Sequence, residues 1–590
     1  MNLKTSVGRR KPFDTPAAQA TQGERSPRKT TPFVLSSAVS CAYRSMIGAA
    51  TEFPGKKYWA GVIAALLFAS GTHAAALPAT VAQSLKQAGI PLSGVAIEVR
   101  EVDGMTRRAQ ASGAGIPSQR LLPQSAGFAS NVSEAHARRP ILSLNAARPM
   151  NPASTMKLLT TYAALDLLGP AYSWKTEAWL DGELKDGVLH GDLVLKGYGD
   201  PKFTFEQFWL WLRELRARGL REIRGDLVLD RSFFELPPHD PAAFDNDPVR
   251  AYNVGPDALL LNFNTLRLRY LPNGSGMKVI SEPQLDGVKL DNRLAPQSAP
   301  AASGNNCDNW DDSVLVQPDG DSVVLQGGYP GECGEREQHL SVMPHTRYVE
   351  AVFRALWQEL GGSLKGKQRD GVATGNAQLF STHHSEPLSA VMRDINKFSN
   401  NVMARQLFLT LGAAMTTPSP LVGEGRGEGR FPNASPSPQP SPVKGEGGNP
   451  APASLERSTK AVQEWLQRQQ LDFPELVLEN GAGLSRSERV SAAHLARLLQ
   501  HAAAHPLSAE FEASLPILGV DGSVKKRLKE SRAASHAHLK TGTLEGVKTI
   551  AGYVRSQGGR EWVVVFFINH PNAKYGQAAQ DALIEWVQGQ

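Results

Sequence analysis

The pattern of apolar and polar residues predicts strands in both terminal parts of the chain. At residues 95–99 and 141–145 it has the period of two that is typical of strands with one buried face. Largely apolar runs predict two further strands at 548–555 and 562–569. Elsewhere apolar residues recur at helical spacing, which predicts helices. The predicted helices span residues 156–168, 386–414, 455–470, 492–504 and 578–588.

The middle of the chain has a different character and predicts an inserted, β-rich region at residues 176–384. The string GDLVL occurs at 191–195 and again at 225–229, which suggests two similar β-units. Alternating runs continue at 266–270 and 314–325. We therefore expect one or two β-rich domains between the two helix-containing parts.

Residues 416–453 are rich in Pro, Gly and Ser. This composition cannot bury a core, so the segment is predicted to be a disordered insertion. A tolerated loop insertion and a partner-binding tether both remain open for it.

The first 74 residues are predicted to be a leader with an export signal. Two lysines at 56–57 precede the apolar run 58–69, and small residues suited to a signal peptidase follow it at 70–76. The run is too short for a typical membrane-spanning helix, although an N-terminal anchor is the alternative. Because about fifty residues precede the signal, Met46 is a candidate start, which would make residues 1–45 an artefact of start assignment.

Charge and cysteine content narrow the functional classes. The chain of 590 residues has a formal net charge of +6, of which residues 1–74 hold +7, so the remainder carries −1. Because the residues after 74 carry almost no net charge, they do not predict the basic surface that binds nucleic acid. Beyond Cys41 in the leader, Cys307 and Cys333 leave an even pair, which suits either a disulfide in an oxidising compartment or two free thiols. No cluster of His or Cys accompanies them, so no metal site is predicted.

Three short motifs follow one another in order: STMK at 154–157, SNN at 399–401 and KTGT at 540–543. They read as S-x-x-K, S-x-N and K-T-G, the set that penicillin-recognising serine acyl-transferases use. Each string alone is unspecific, since S-x-x-K recurs at 26–29 and 523–526. The interpretation therefore depends on their order and context.

The first two motifs suit nucleophilic catalysis by a serine. Ser154 lies at a predicted helix N-terminus, and Lys157 follows three positions later on the same face. A lysine can take the serine proton once burial and a second cation, such as Lys540, lower its pKa. Ser399 could pass a proton to the leaving amine, and Asn401 could orient the lysine and the substrate.

The third motif suits the binding of a carboxylate. Lys540, Thr541 and Thr543 can hold a terminal carboxylate, and Gly542 lets the backbone approach closely. The amides of Ser154 and Thr543 would form an oxyanion hole. This chemistry needs no cofactor.

Taken with their surroundings, the motifs resemble those of the class C low-molecular-mass penicillin-binding proteins, the D-alanyl-D-alanine carboxypeptidase/endopeptidase family. The resemblance extends from about residue 80 to the C-terminus. The matching strings are PASTMK at 152–157, GDP at 199–201, KFSNN at 397–401, GAGLSR at 481–486, LPILGVDG at 515–522 and KTGTLEGV at 540–547.

The resemblance implies an α/β (α+β) fold with a transpeptidase-like domain, in which helices flank an antiparallel sheet. That domain would consist of residues 77–175 and 385–590, with the β-rich insertion 176–384 between them. Ser399 follows Lys157 by 242 positions (399 − 157), which leaves room for such an insertion.

The resemblance also implies a serine DD-peptidase of peptidoglycan, exported to the periplasm. It would remove terminal D-Ala from stem peptides and cleave D-Ala-diaminopimelate cross-links through an acyl-enzyme on Ser154. Lys157 would be the base, Ser399 and Asn401 the second motif, and Lys540 the carboxylate-binding lysine. β-Lactams would inhibit it covalently. Peripheral membrane association and the oligomeric state stay open.

Two further features come from the same resemblance. An acidic residue of the insertion would favour the diaminopimelate amino group. Asp247, followed by Tyr252, is the candidate, with Asp245 as the alternative. The pair Cys307 and Cys333 resembles a cysteine pair found in some members of the family.

Two other functions compete with this interpretation. A serine β-lactamase shares the motifs but is roughly half as long, with a short gap between the first two motifs. A catalytically weak wall-binding scaffold would use the site for recognition alone. The intact Ser154, Lys157 and Lys540 favour an enzyme over the scaffold.

Overall fold

A computed structural model describes residues 77–102, 140–273, 276–297, 307–414 and 452–590. The predicted leader, with Met46 and Cys41, lies outside the described residues, and so does the predicted insertion 416–453 except for its last two residues. We number helices and strands in chain order over the described ranges. The helices are α1 (Ala79–Gln87), α2 (Lys157–Leu168), α3 (Phe205–Ala217), α4 (His345–Glu359), α5 (Leu388–Phe398), α6 (Asn401–Ala414), α7 (Leu455–Arg468), α8 (Ala492–Ala504), α9 (Ser508–Ser514) and α10 (Gln577–Gln588).

The strands divide among five sheets. They are β1 (Val95–Glu101), β2 (Leu142–Leu144), β3 (Pro149–Met150), β4 (Lys175–Lys185), β5 (Val188–Gly197), β6 (Glu222–Ile223), β7 (Leu227–Asp230), β8 (Leu266–Asn273), β9 (Gly276–Glu282), β10 (Lys289–Asn292), β11 (Ala295–Gln297), β12 (Val314–Asp319), β13 (Ser322–Pro330), β14 (Arg336–Leu340), β15 (Ser363–Leu364), β16 (Gln368–Asp370), β17 (Gln378–His384), β18 (Val490–Ser491), β19 (Ala537–Leu544), β20 (Val547–Arg555) and β21 (Glu561–Asn569).

An antiparallel sheet in the order β19-β20-β21-β1-β2 forms the centre of the terminal parts. Strand β21 is apolar along most of its length because both of its faces are covered. Val564 and Phe566 point into one core with residues of α1 and α10, whereas Val563 and Val565 point into a second core with residues of α2 and α5 to α9. The mixed α/β fold predicted for these parts is confirmed.

Helix α2 lies in the middle of the second core. Its first nine residues, 157–165, are all buried, which explains why the segment is apolar on all sides. Gly169 ends the helix with φ at +77°, a conformation that glycine adopts without strain. The helix that follows the first motif is thus fixed by packing on every face.

The middle of the chain forms separate sheets. Strands β4 to β7 and β15 to β17 build a seven-stranded mixed sheet. The two GDLVL strings are neighbours in it, since Leu193 of β5 pairs with Leu227 of β7 in parallel register. They are therefore adjacent strands of one sheet. Helices α3 and α4, which the sequence analysis did not predict, supply much of its core.

A smaller β-module follows within the same region. Sheets β14-β8-β9 and β10-β13-β11, with β12 beside β13, share one core that contains Tyr270 and Tyr329. A disulfide joins Cys307 and Cys333 there. The separate sheets and cores support our proposal that residues 176–384 form the insertion and that 77–175 and 385–590 form one domain.

Candidate active site

Ser154 lies on a 3₁₀ turn, Ala153–Met156, which leads directly into α2. Ala153 has φ at +45°, a conformation that a residue with a side chain rarely adopts. The predicted helix start is therefore preceded by a tight turn, and strained backbone of this kind is often found at functional sites. Ser154 is half-buried at this position.

Lys157 is fully buried and joins three parts of the site. Its Nζ lies 3.0 Å from Ser154 Oγ, and it donates to Asn401 Oδ1 at 2.6 Å and to the carbonyl of Ala482 at 2.5 Å. Burial, together with the charge of Lys540, holds the Lys157 pKa well below its usual value. A buried lysine with a lowered pKa can be neutral and accept a proton from the adjacent hydroxyl.

The second motif occupies the break between α5 and α6. Ser399 adopts the left-handed conformation, with φ at +58°, and so ends α5 before α6 begins at Asn401. Its hydroxyl accepts a hydrogen bond from Lys540 Nζ at 2.8 Å. At the junction of α5 and α6, the Asn400 side chain accepts a hydrogen bond from the amide of Met403 at 3.0 Å and so stabilises the start of α6.

The third motif lies inside β19. Lys540 is fully buried, and burial lowers its pKa to about 7. A Cβ atom on Gly542 would lie 2.8 Å from the Ser154 amide nitrogen, so β19 passes directly beside the nucleophile's backbone. Thr541 Oγ1 lies 2.7 Å from Ser523 Oγ, while Thr543 is exposed.

The two acidic candidates of the insertion have different partners. Asp247 forms an ion pair with Arg250 at 2.8 Å. Asp245 accepts hydrogen bonds from Tyr252 Oη at 2.7 Å and from Asn253 Nδ2 at 2.7 Å. Tyr252 packs against a small apolar cluster that includes Ala153, the residue before the candidate nucleophile. Asp245 is therefore fixed by a residue that borders the site, whereas the Asp247 carboxylate is engaged with Arg250.

Sequence reasoning missed several residues that touch the site. Ser523 belongs to one of the unspecific S-x-x-K strings, yet its hydroxyl contacts the third motif. The charged residues Arg405 and Glu488 both act on Lys157 electrostatically. The string GAGLSR at 481–486 includes Ala482, whose carbonyl contacts Lys157, so this string could have indicated that the segment belongs to the site.

The described ranges contain neither a metal-binding cluster nor a membrane-spanning helix. Within those ranges, no group of three or more His, Cys, Asp or Glu residues could hold a metal ion. No helix in the same part of the chain is long and apolar enough to cross a membrane.

Comparison with known proteins gave consistent matches. The model of the D-Ala-D-Ala carboxypeptidase 3 (S13) family matches residues 118–423 and 445–590. D-alanyl-D-alanine carboxypeptidase DacB of Haemophilus influenzae is 24% identical over 452 residues, which cover 76% of this chain and 86% of that protein. D-alanyl-D-alanine carboxypeptidase of Actinomadura sp. strain R39 is 27% identical over 455 residues, covering 73% and 76% respectively.

The fold is shared with solved structures. Penicillin binding protein 4 (dacB) from Haemophilus influenzae superimposes with a TM-score of 0.62 at 22% identity. The match covers 86% of this chain and 99% of that one. The expected transpeptidase-like architecture with inserted sheets is thereby confirmed.

Proposed function

Because this chain belongs to the D-Ala-D-Ala carboxypeptidase 3 (S13) family, we propose that it hydrolyses the D-Ala-D-Ala end of peptidoglycan stem peptides through an acyl-enzyme on Ser154. Family membership makes the chain a serine-type DD-peptidase, a hydrolase. The residue roles are our proposal, and one observation carries them. Lys157 contacts the nucleophile, the second motif and the backbone of loop 479–485 at once.

In the proposed acylation, neutral Lys157 takes the proton of Ser154 as Oγ attacks the carbonyl carbon of the penultimate D-Ala. The amides of Ser154 and Thr543 would stabilise the oxyanion. Lys540, with Thr541, would hold the terminal carboxylate. The proton on Lys157 then passes, with Ser399 as relay, to the nitrogen of the departing D-Ala as the peptide bond breaks.

Deacylation repeats the same proton transfers with water as the nucleophile. Lys157, neutral again after the first step, takes a proton from water as its oxygen attacks the ester carbon. The ester bond breaks, and Ser154 Oγ recovers a proton from Lys157. The new carboxylic acid of the shortened peptide gives its proton to solvent, and the peptide leaves as a carboxylate.

We propose that Asp245, rather than Asp247, favours the amino group of a diaminopimelate side chain. The support is geometric, since Tyr252 and Asn253 direct Asp245 while Arg250 engages Asp247. An ammonium beside Asp245 would gain a charge-assisted hydrogen bond. The same contact would serve cleavage of D-Ala-diaminopimelate cross-links, the endopeptidase reaction.

We also propose that β-lactams acylate Ser154 and that the protein is exported and acts in the periplasm. Support for acylation comes from the same three-motif geometry. Support for export comes from the basic and apolar pattern at 56–69 and from the disulfide, which suits an oxidising compartment.

Release of free D-Ala from a pentapeptide tests the proposal, with Ser154→Ala as control. We expect release by the wild type and none above background by the variant. Absence of release by the wild type would favour a wall-binding scaffold, while hydrolytic turnover of a penicillin adduct within seconds would favour a β-lactamase.

A further inference from the structure

A buried carboxylate lies behind the proposed base. Glu488 is fully buried, although an ionised carboxylate is costly to remove from water unless it is hydrogen-bonded. Its Oε1 accepts hydrogen bonds from three consecutive backbone amides, those of Glu479 at 3.2 Å, Asn480 at 3.0 Å and Gly481 at 3.2 Å. One oxygen atom therefore fixes the start of loop 479–485.

That loop supplies part of the site. The Ala482 carbonyl, one residue after the three amides, accepts from Lys157 Nζ, and the Gly481 carbonyl accepts from Thr160 of α2 at 2.7 Å. Gly483 lies against the nucleophile's backbone, where a Cβ atom would come 2.8 Å from the Ser154 nitrogen. The shape of the loop thus determines where the base and nucleophile lie.

The charge of Glu488 also acts on Lys157. Three charged groups influence Lys157 from three elements: Lys540 on β19, Arg405 on α6 and Glu488 beside loop 479–485. The two cations lower the Lys157 pKa, and Glu488 is the group that opposes them. Burial and the charge of Glu479 raise the Glu488 pKa, whereas the three backbone amides oppose this rise because they stabilise the carboxylate. Its Oε2 has no hydrogen-bond partner among the residues that the structure describes.

We propose that Glu488 is a positioning residue for the reaction at Ser154, which holds the Ala482 carbonyl on Lys157 and places a negative charge behind that base. The inference rests on the proposed roles of Ser154 and Lys157. Its geometric part needs an acceptor at this position, and its electrostatic part needs a charge. The two parts can be separated by substitution.

Glu488→Gln keeps an oxygen that can accept the three amides but removes the charge. Without the negative charge that raises the Lys157 pKa, the nearby cations Lys540 and Arg405 should make Lys157 lose its proton at lower pH. We expect the acid limb of the acylation rate against pH to move down by roughly half to one pH unit. Glu488→Asp keeps the charge on a shorter side chain, so the acid limb of the pH profile should not move. The acylation rate should fall about ten-fold, because the shorter side chain displaces loop 479–485.

The assay is the second-order rate constant for acylation by a fluorescent penicillin, measured across pH with the full chain. Glu545→Gln is the matched control, since Glu545 is an exposed carboxylate on the segment after β19, and its profile should coincide with the wild type. Thermal unfolding of each variant reports folding separately.

Coincident acid limbs for Glu488→Gln and the wild type would overturn the inference, as would equal shifts in Glu488→Gln and Glu488→Asp. Failure of Glu488→Gln to fold would also overturn it, because the role would then be structural. If the wild type itself is not acylated at Ser154, the proposed function fails instead, so the two failures are distinguishable.

Discussion

Gly542→Ala is expected to impair acylation because the added methyl group has no room beside the nucleophile. Its Cβ would lie 2.8 Å from the Ser154 nitrogen and 3.0 Å from Ala153 Cβ, and it would also collide with Thr549 Oγ1. The Ser154 backbone has little room to retreat, because Gly483 lies on its other side, where even an added Cβ atom would come 2.8 Å from the Ser154 nitrogen. Strand β19 must therefore move outward.

The size of the effect follows from these distances. Ordinary carbon contacts lie near 3.5 Å, so β19 has to shift by roughly 0.5–1 Å. A shift of this size moves the Thr543 amide and the Lys540 ammonium relative to Ser154. Misplacement by about 1 Å, or loss of one oxyanion donor, costs about 100-fold in rate. Overpacking should lower the free energy of unfolding by about 1–3 kcal/mol.

The measurements are the acylation rate with a fluorescent penicillin and the unfolding midpoint in denaturant. Gly375→Ala is the control, because nothing lies within 4 Å of the Cβ position there and its backbone needs no positive φ. The control should match the wild type in both measurements. An acylation rate for Gly542→Ala within about two-fold of the wild type would refute the reasoning, since a displaced oxyanion donor should cost far more.

Three more predictions follow from the described contacts. Since the Lys540 pKa is about 7, kcat/KM for a peptide with a free terminal carboxylate should fall as pH rises above that value, where the free enzyme loses this cation. A flat profile from pH 6 to about pH 9 would contradict it. Asp245→Asn should lower kcat/KM for a diaminopimelate cross-link about ten-fold, whereas Asp247→Asn should change it less than about two-fold. A larger loss of kcat/KM for Asp247→Asn than for Asp245→Asn would instead assign this role to Asp247. Replacing Cys307 and Cys333 by Ser opens a loop of 26 residues, which should lower the free energy of unfolding in denaturant by about 3.5 kcal/mol. The acylation rate should not change. Equal stability of the wild type and the double variant would contradict this prediction.

The terminal parts of the fold could be predicted because their signals are local. The run 492–504 was predicted at the exact bounds of α8, where Ser491 caps the first turn. Strands β20 and β21 are largely apolar runs bounded by turns, so their bounds differed from the prediction by one residue.

The inserted region was harder to predict, because its alternating apolar and polar residues were interpreted as strands and its helices were overlooked. Helix α3 begins at a capping box in which Thr204 and Gln207 bond reciprocally, a signal that was present in the sequence but was not used. The identical strings at 191–195 and 225–229 were recognised, yet only pairing in the sheet shows that they are neighbours. The alternation within each segment does not tell which distant segments pair with each other.

The site was predictable as far as its motifs extend. Lys157 is hydrogen-bonded to Ser154 and Asn401, and a separate hydrogen bond joins Lys540 to Ser399. What could not be predicted depends on long-range packing. The contact of Ser523 with Thr541 and that of the Ala482 carbonyl with Lys157 join segments that are 18 and 325 positions apart.

The central claim is that Ser154 is the acylated nucleophile, and mass spectrometry of the penicillin-treated protein tests it most directly. We expect one adduct per chain, on the peptide that contains Ser154, and none in Ser154→Ala. An adduct on another serine, such as Ser523, or an undiminished adduct in Ser154→Ala, would contradict the account.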